Sequence, residues 1–120
     1  MNKLLVGRQF QVWEYRVSHG SLLIRSPKSP GFTSNVDLIF DGVEYIRMPR
    51  HLNPEPNNSI ELVEPTDDEL TDLKGLLGIR IRNAQVWVTQ TRFHRHAVVA
   101  AHLVIDENHN DIFESPFDRR

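Results

Sequence analysis

Two imidazoles stand two residues apart in His94-Arg95-His96, the spacing in this chain best suited to chemistry. The surrounding segment reads as a strand, and residues i and i+2 of a strand project to one face. Both rings then point together, as two ligands of one zinc or similar divalent ion would. Such an ion needs a third ligand. His102 shares the parity but lies about 20 Å farther along an extended chain. The remaining donors, His51, His19, Asp37 and Glu44, are not brought near by anything in the sequence. The competing expectation is a pair of half-exposed imidazoles on a wet strand face.

Other chemistry-bearing patterns are weaker. Asp106-Glu107-Asn108-His109-Asn110-Asp111 carries oxygen side chains in calcium-loop spacing. Asp111 stands where that loop needs Gly, however, and Phe117 where it needs the bidentate Glu. A polar turn explains the segment better. Ser18 and His19 are neighbours and would point to opposite faces of a strand, so they form no local dyad. No nucleophile elbow, P-loop or dinucleotide glycine pattern occurs. The carboxylates Asp37, Asp41, Glu44, Glu61 and Glu64 lie in or beside strands and read as solvated surface.

A ligand pocket is a further expectation. Several of Trp13, Tyr15, Phe40, Tyr45, Trp87 and Phe93 could line the inside of a curled sheet, with Arg16, Arg25 or Arg47 at its mouth, since small-ligand sites are mostly apolar with a few polar groups; Trp13, Tyr15, Tyr45, Trp87, Arg25 and Arg47 are the foremost candidates. The same aromatics would equally serve as core. Arginine outnumbers lysine among the 14 cations, and guanidinium is the rigid, bidentate partner of carboxylates.

These residues need a scaffold. The 120 residues suit one domain, 1–120, and contain no cysteine, which excludes disulfides, thiol catalysis and Cys-ligated zinc. A formal charge of −2 offers no pull toward nucleic acid or anionic lipid. No stretch approaches the ~18 apolar residues of a membrane span, and the N-terminal apolar run is too short for a signal peptide. A cytoplasmic location is therefore expected.

Along the chain, Gln9–Val17 and Leu22–Arg25 read as strands around a Ser18–Ser21 turn. A change of parity near Val12-Trp13 implies either a strand covered on both faces or a β-bulge. Asp41-Gly42 between two β-type runs predicts a two-residue type I′ hairpin, with Phe40 opposite Val43, Leu38 opposite Tyr45 and Val36 opposite Arg47. Ile60–Val63 is a short strand. Thr66 followed by Glu69 forms a capping-box pattern, and Leu70, Leu73, Leu76 and Leu77 make a helical stripe ending at Gly78. Ile79–Arg82 and Val86–Thr89 alternate as strands. One long strand is predicted from Phe93 to Ile105, its second face carrying His94, His96, Val98, Ala100, His102 and Val104. Ile112-Phe113 is a last short strand, before a loosely held tail.

The string Val12-Trp13-Glu14-Tyr15-Arg16-Val17-Ser18-His19-Gly20-Ser21-Leu22-Leu23-Ile24-Arg25-Ser26, with the closing Ile112-Phe113-Glu114-Ser115-Pro116-Phe117, resembles small uncharacterised bacterial proteins of about this length. The resemblance implies no activity and no functional residues.

The fold expected is β-rich α+β: a curled antiparallel sheet, a partial barrel or sandwich of about six to eight strands, with one covering helix. The function expected is a non-catalytic binding module for a protein partner or small ligand, of immunity or accessory type, with no cofactor. Two alternatives stand beside it. One is a metal-binding protein or metal-assisted hydrolase using a divalent ion at His94 and His96. The other is a self-associating subunit using the face of Val98, Ala100 and Val104.

Overall fold

The computed structural model describes residues 2–119. Its eight strands are β1 (Gln11–Arg16), β2 (Ser21–Ser26), β3 (Asn35–Asp41), β4 (Tyr45–Arg47), β5 (Glu61–Val63), β6 (Gln85–Gln90), β7 (Arg95–Ala100) and β8 (His102–Asn108), with one α-helix, α1 (Asp67–Leu77), between β5 and β6. They form two four-stranded antiparallel sheets, ordered β1-β2-β3-β8 and β4-β7-β6-β5. The chain is α+β and rich in strand, but the expected curled sheet or partial barrel is corrected: neither sheet closes on itself.

The reason lies at one corner. β3 pairs with β8 up to Asp41↔His102, and β4 pairs with β7 from Tyr45↔Val99. The same two runs of chain thus pair on both sides of a break, where each changes sheet. The Ala101 N–H donates to the Asp41 carbonyl at 2.9 Å, and the Glu44 N–H to the Val99 carbonyl at 2.8 Å. The Asp41-Gly42 hairpin therefore does not form. Gly42 has φ 65°, but Asp41 does not reach the positive φ that a type I′ turn demands. Phe40 lies opposite Leu22 and Leu103 instead of Val43. Val36, Leu38, Ile39 and Phe40 are all buried, as befits a central strand covered on both faces.

The long strand predicted from Phe93 to Ile105 breaks at the same corner, and its parity inverts there. His96, Val98 and Ala100 face the interior on one side of Ala101; Leu103 and Ile105 do so on the other. The supposed self-association face is thus mostly core: Val98 is 2 % and Ala100 0 % exposed, against 54 % for Val104. His96 is likewise buried, not wet.

The main core lies between the sheets, with Leu22, Ile24, Val36, Leu38 and Phe40 of the first against Val98 and Ala100 of the second. A smaller cluster of Leu23, Ile39 and Phe117, with Trp13 packed on it, covers the other face of the first sheet. Trp13 reaches that face because the β1 register shifts between Val12 and Glu14, which is the bulge that the parity change implied. The tail is accordingly not loose: Pro116–Arg119 forms a 3-10 turn that seats Phe117 over Leu23 and Ile39. Ile112-Phe113 is a turn rather than a strand.

The helix begins as its sequence requires. Thr66 accepts from the Glu69 N–H at 3.1 Å, and Glu69 accepts from the Thr66 N–H at 2.8 Å. Leu73 is buried, whereas Leu76 at the helix end is 63 % exposed. Gly78, at φ 57°, ends the helix into a 3-10 turn over Gly78–Ile81, so Ile79 and Ile81 are not in a strand. Among the described residues, no helix is long and apolar enough to cross a membrane.

Candidate binding cleft

The prolines of the β4–β5 connection, Pro49, Pro54 and Pro56, lack the N–H a ladder needs and keep the segment irregular. Side-chain and backbone bonds hold it instead. Buried Asn53 accepts from the Phe10 N–H at 2.8 Å and donates to the Arg8 and Asn58 carbonyls at 2.8 and 2.6 Å. Leu52, also buried, donates from its backbone to Phe10 at 3.0 Å. The connection is thereby fixed on the side of β1, and its other side faces the start of β7.

Between them lies an open cleft of about 590 Å³. Its wall includes Arg47, His51, Glu55, Phe93, His94 and His96. The turn that presents the histidines is closed locally: the Thr91 N–H donates to the His94 carbonyl at 2.8 Å and the His94 N–H to Thr91 Oγ1 at 3.1 Å.

His94 and His96 do point together. Their rings stack with centroids 6.5 Å apart and planes 25° apart. Their environments differ, since His94 is exposed and His96 buried. Burial pushes the His96 pKa below its ordinary value; a hydrogen bond to the Leu52 backbone opposes this, and the charges of His94 and Arg47 reinforce it. His96 thus lies at the cleft floor, where burial favours its neutral form.

Arg95 is committed elsewhere. Its guanidinium forks onto Glu69 of α1, Nε to Oε2 at 3.0 Å and Nη2 to Oε1 at 2.7 Å. This hydrogen-bonded pairing is the main cause that holds the Glu69 carboxyl down at about 2. The Arg47 side chain, by contrast, is exposed and makes no hydrogen bond or ion pair with the described residues.

The cleft brings His51 beside His94 and His96, one of the third ligands considered above. Yet no group of three or more His, Asp or Glu among the described residues is placed to hold a metal ion. Asp37 is far from such a role, being buried in a pair with Arg25.

The six residues expected to line a ligand pocket do not converge. Trp13 and Arg25 lie together on the outer face of the first sheet, with the guanidinium carbon 5.4 Å from the indole centroid. Tyr15 projects outward from β1, 43 % exposed. Tyr45 and Arg47 border a groove of about 300 Å³ between the second sheet and α1. Trp87 lies between the sheets, edge-on to Phe40 at 6.5 Å. Of the six, Arg47 also reaches the cleft, as does Phe93, a further aromatic considered for a pocket. His51, Glu55 and Phe93 were not singled out together by the sequence, because their proximity depends on a connection with no periodicity to read.

Compared with protein-family models, curated proteins and solved structures, the chain has no significant match.

Proposed function

We propose that this protein is a non-catalytic binding domain whose cleft at the start of β7 receives an anionic group, a carboxylate foremost, from a protein partner. The observation that carries this reading is the unpaired, exposed Arg47 beside His51 and His94, with Glu55 the one carboxylate in the wall. A guanidinium fork matches a carboxylate, and imidazoles can donate to the same group. Phe93, 70 % exposed beside Pro49 and Pro54, offers the apolar contact that protein interfaces use as an anchor.

The probe for this reading is a polyglutamate peptide, titrated into isotope-labelled protein and followed by NMR of the imidazoles. The expected result is movement of the His51 and His94 resonances at low salt, weakened at high salt and lost in Arg47→Ser. No shift at these residues at millimolar peptide overturns it.

A further inference from the structure

Each four-stranded sheet has two edge strands, and three of these four edges are blunted. β4 and β5 are three residues long. β1 is bulged between Val12 and Glu14, and the β4–β5 connection covers it: the Val12 N–H donates to the Arg50 carbonyl at 2.7 Å and the Leu52 N–H to the Phe10 carbonyl at 3.0 Å. Short length, bulges and covering segments all keep other chains from adding to a sheet. β8 has none of the three. It pairs with β3 over seven residues without a register shift, and it contains neither Pro nor Lys. The chain that follows turns back across the first sheet, away from this edge. The Asn110 carbonyl accepts from Asn35 at 2.8 Å, and the Ile112 carbonyl accepts from Arg25 at 2.9 Å. The far side of β8 thus presents backbone N–H and C=O groups with no strand beside them.

The side chains of β8 define what fits there. His102, Val104 and Asp106 share the outer face and are exposed, whereas Leu103 and Ile105 turn toward the core and are half-buried. Asp106 stands opposite Asp37 on β3. The Asp37 charge is met by Arg25, but Asp106 accepts from Asn108 at 2.9 Å and has no ion pair among the described residues. The His102 side chain has no hydrogen bond or ion pair among the described residues. A strand added here must bring an apolar residue to Val104, a donor to Asp106 and an acceptor to His102. β8 carries that same set, and an antiparallel neighbour presents it in reverse order. With Val104 opposite Val104 of a second copy, His102 lies opposite Asp106 twice and Leu103 opposite Ile105 twice. Other registers that keep the faces matched lose this fit. Centred on Ile105, Val104 meets Asp106; centred on Leu103, only residues 102–104 of each strand pair.

We infer that a second copy of this chain adds to the β8 edge, Val104 to Val104 across a two-fold axis, joining the two first sheets into one antiparallel sheet. Such an isologous contact is self-complementary. It is made by the backbone edge, not by the strand face of Val98 and Ala100, which is core. It is independent of the anion reading, because the cleft includes no residue of β8.

One edge strand per copy is a small interface, below the ~1,200 Å² of stable complexes, so the dimer is concentration-dependent. Sedimentation equilibrium of the whole chain reads it. The weight-average mass is expected to rise toward twice that of one chain between roughly 10 μM and 1 mM. Val104→Lys places two like charges on the axis and is expected to keep the chain monomeric throughout. The register is read separately. The chain has no cysteine, so Val104→Cys adds a single thiol. Facing residues of an antiparallel pair have Cα atoms about 4.5–5.5 Å apart, within disulfide range. Mild oxidation is expected to cross-link Val104→Cys on the order of tenfold faster than the equally accessible control Val17→Cys, because pairing raises the effective thiol concentration. The thiol comparison also decides if Val104→Lys does not fold. A mass that stays at one chain up to about 1 mM, a dimer that survives Val104→Lys, or equal cross-linking of the two thiol variants overturns the inference.

Discussion

Arg25 and Asp37 stand directly opposite each other on β2 and β3 and pair bidentately, Nε to Oδ1 at 2.7 Å and Nη2 to Oδ2 at 3.0 Å, with side-chain exposures of 0 % and 1 %. Further bonds complete the pair. Arg25 Nη1 donates to the Ile112 carbonyl at 2.9 Å, and Asn108 donates to Asp37 Oδ2 at 3.0 Å. Two charges taken from water gain little net stability by meeting, but removing one strands the other. Asp37→Ala is expected to lower stability by about 3–5 kcal/mol. The double replacement Arg25→Met with Asp37→Leu is expected to cost much less. Urea unfolding of the two variants checks this, and a near-neutral Asp37→Ala would contradict it.

His96 ties stability to pH. Its folded pKa lies below the ordinary 6.5 because the ring is buried. Unfolded chains take up that proton near 6.5, and the folded protein only at lower pH. The unfolded state therefore binds more protons in between, and stability rises with pH across that interval. The contribution is complete above 6.5 and is lost as pH falls toward the folded value. His96→Asn is expected to flatten this part of the profile, read as the difference in urea midpoint between pH 7.5 and pH 5.5.

Glu69 acts in a lower window. It caps α1 and holds Arg95, and its pKa falls from 4.5 to about 2. Its contribution is present above 4.5 and is lost as pH falls toward 2. Both partners are partly exposed, so the ion pair is expected to contribute no more than about 1 kcal/mol. Glu69→Gln retains an acceptor for the Thr66 N–H and is expected to remove the acid-sensitive slope. Thr66→Ala removes the cap and is expected to cost about 1 kcal/mol at every pH. Acid titration of helix content by circular dichroism separates the two.

Two glycines give opposite expectations. A Cβ on Gly42 would lie 2.9 Å from the Ala101 Cβ, on a backbone at φ 65°. Gly42→Ala is expected to destabilise by more than about 1 kcal/mol. Gly75 sits inside α1, and a Cβ there meets nothing within 4 Å. Gly75→Ala is expected to stabilise by about 0.5–1 kcal/mol. Thermal melts of both variants check the contrast.

What could be read beforehand was local. The Thr66–Glu69 cap, the Gly20 turn and the parity change at Trp13 each rest on contacts within a few residues, and each is present. Asp41-Gly42 was misread because a glycine with positive φ serves a corner between sheets as well as a hairpin. The Phe93–Ile105 run was misread because one residue, Ala101, shifts the phase without interrupting the apolar pattern. Asp37 reads as a surface charge and Arg25 as a pocket-mouth cation, since a sequence does not show which residue will lie opposite which. The cleft was half legible: the stacked pair His94 and His96 followed from strand spacing, while His51 and Glu55 come from a connection shaped by Asn53 and its carbonyl partners.

The corner at Gly42 and Ala101 has a mechanical consequence. One run of chain switches layers there through Ala101 alone and the other through residues 42–44, and they are stapled to each other by the Ala101–Asp41 bond. Loosening one layer therefore pulls on its neighbour, and heat or urea is expected to melt the pair in one cooperative step, with fluorescence and far-ultraviolet circular dichroism giving coincident transitions.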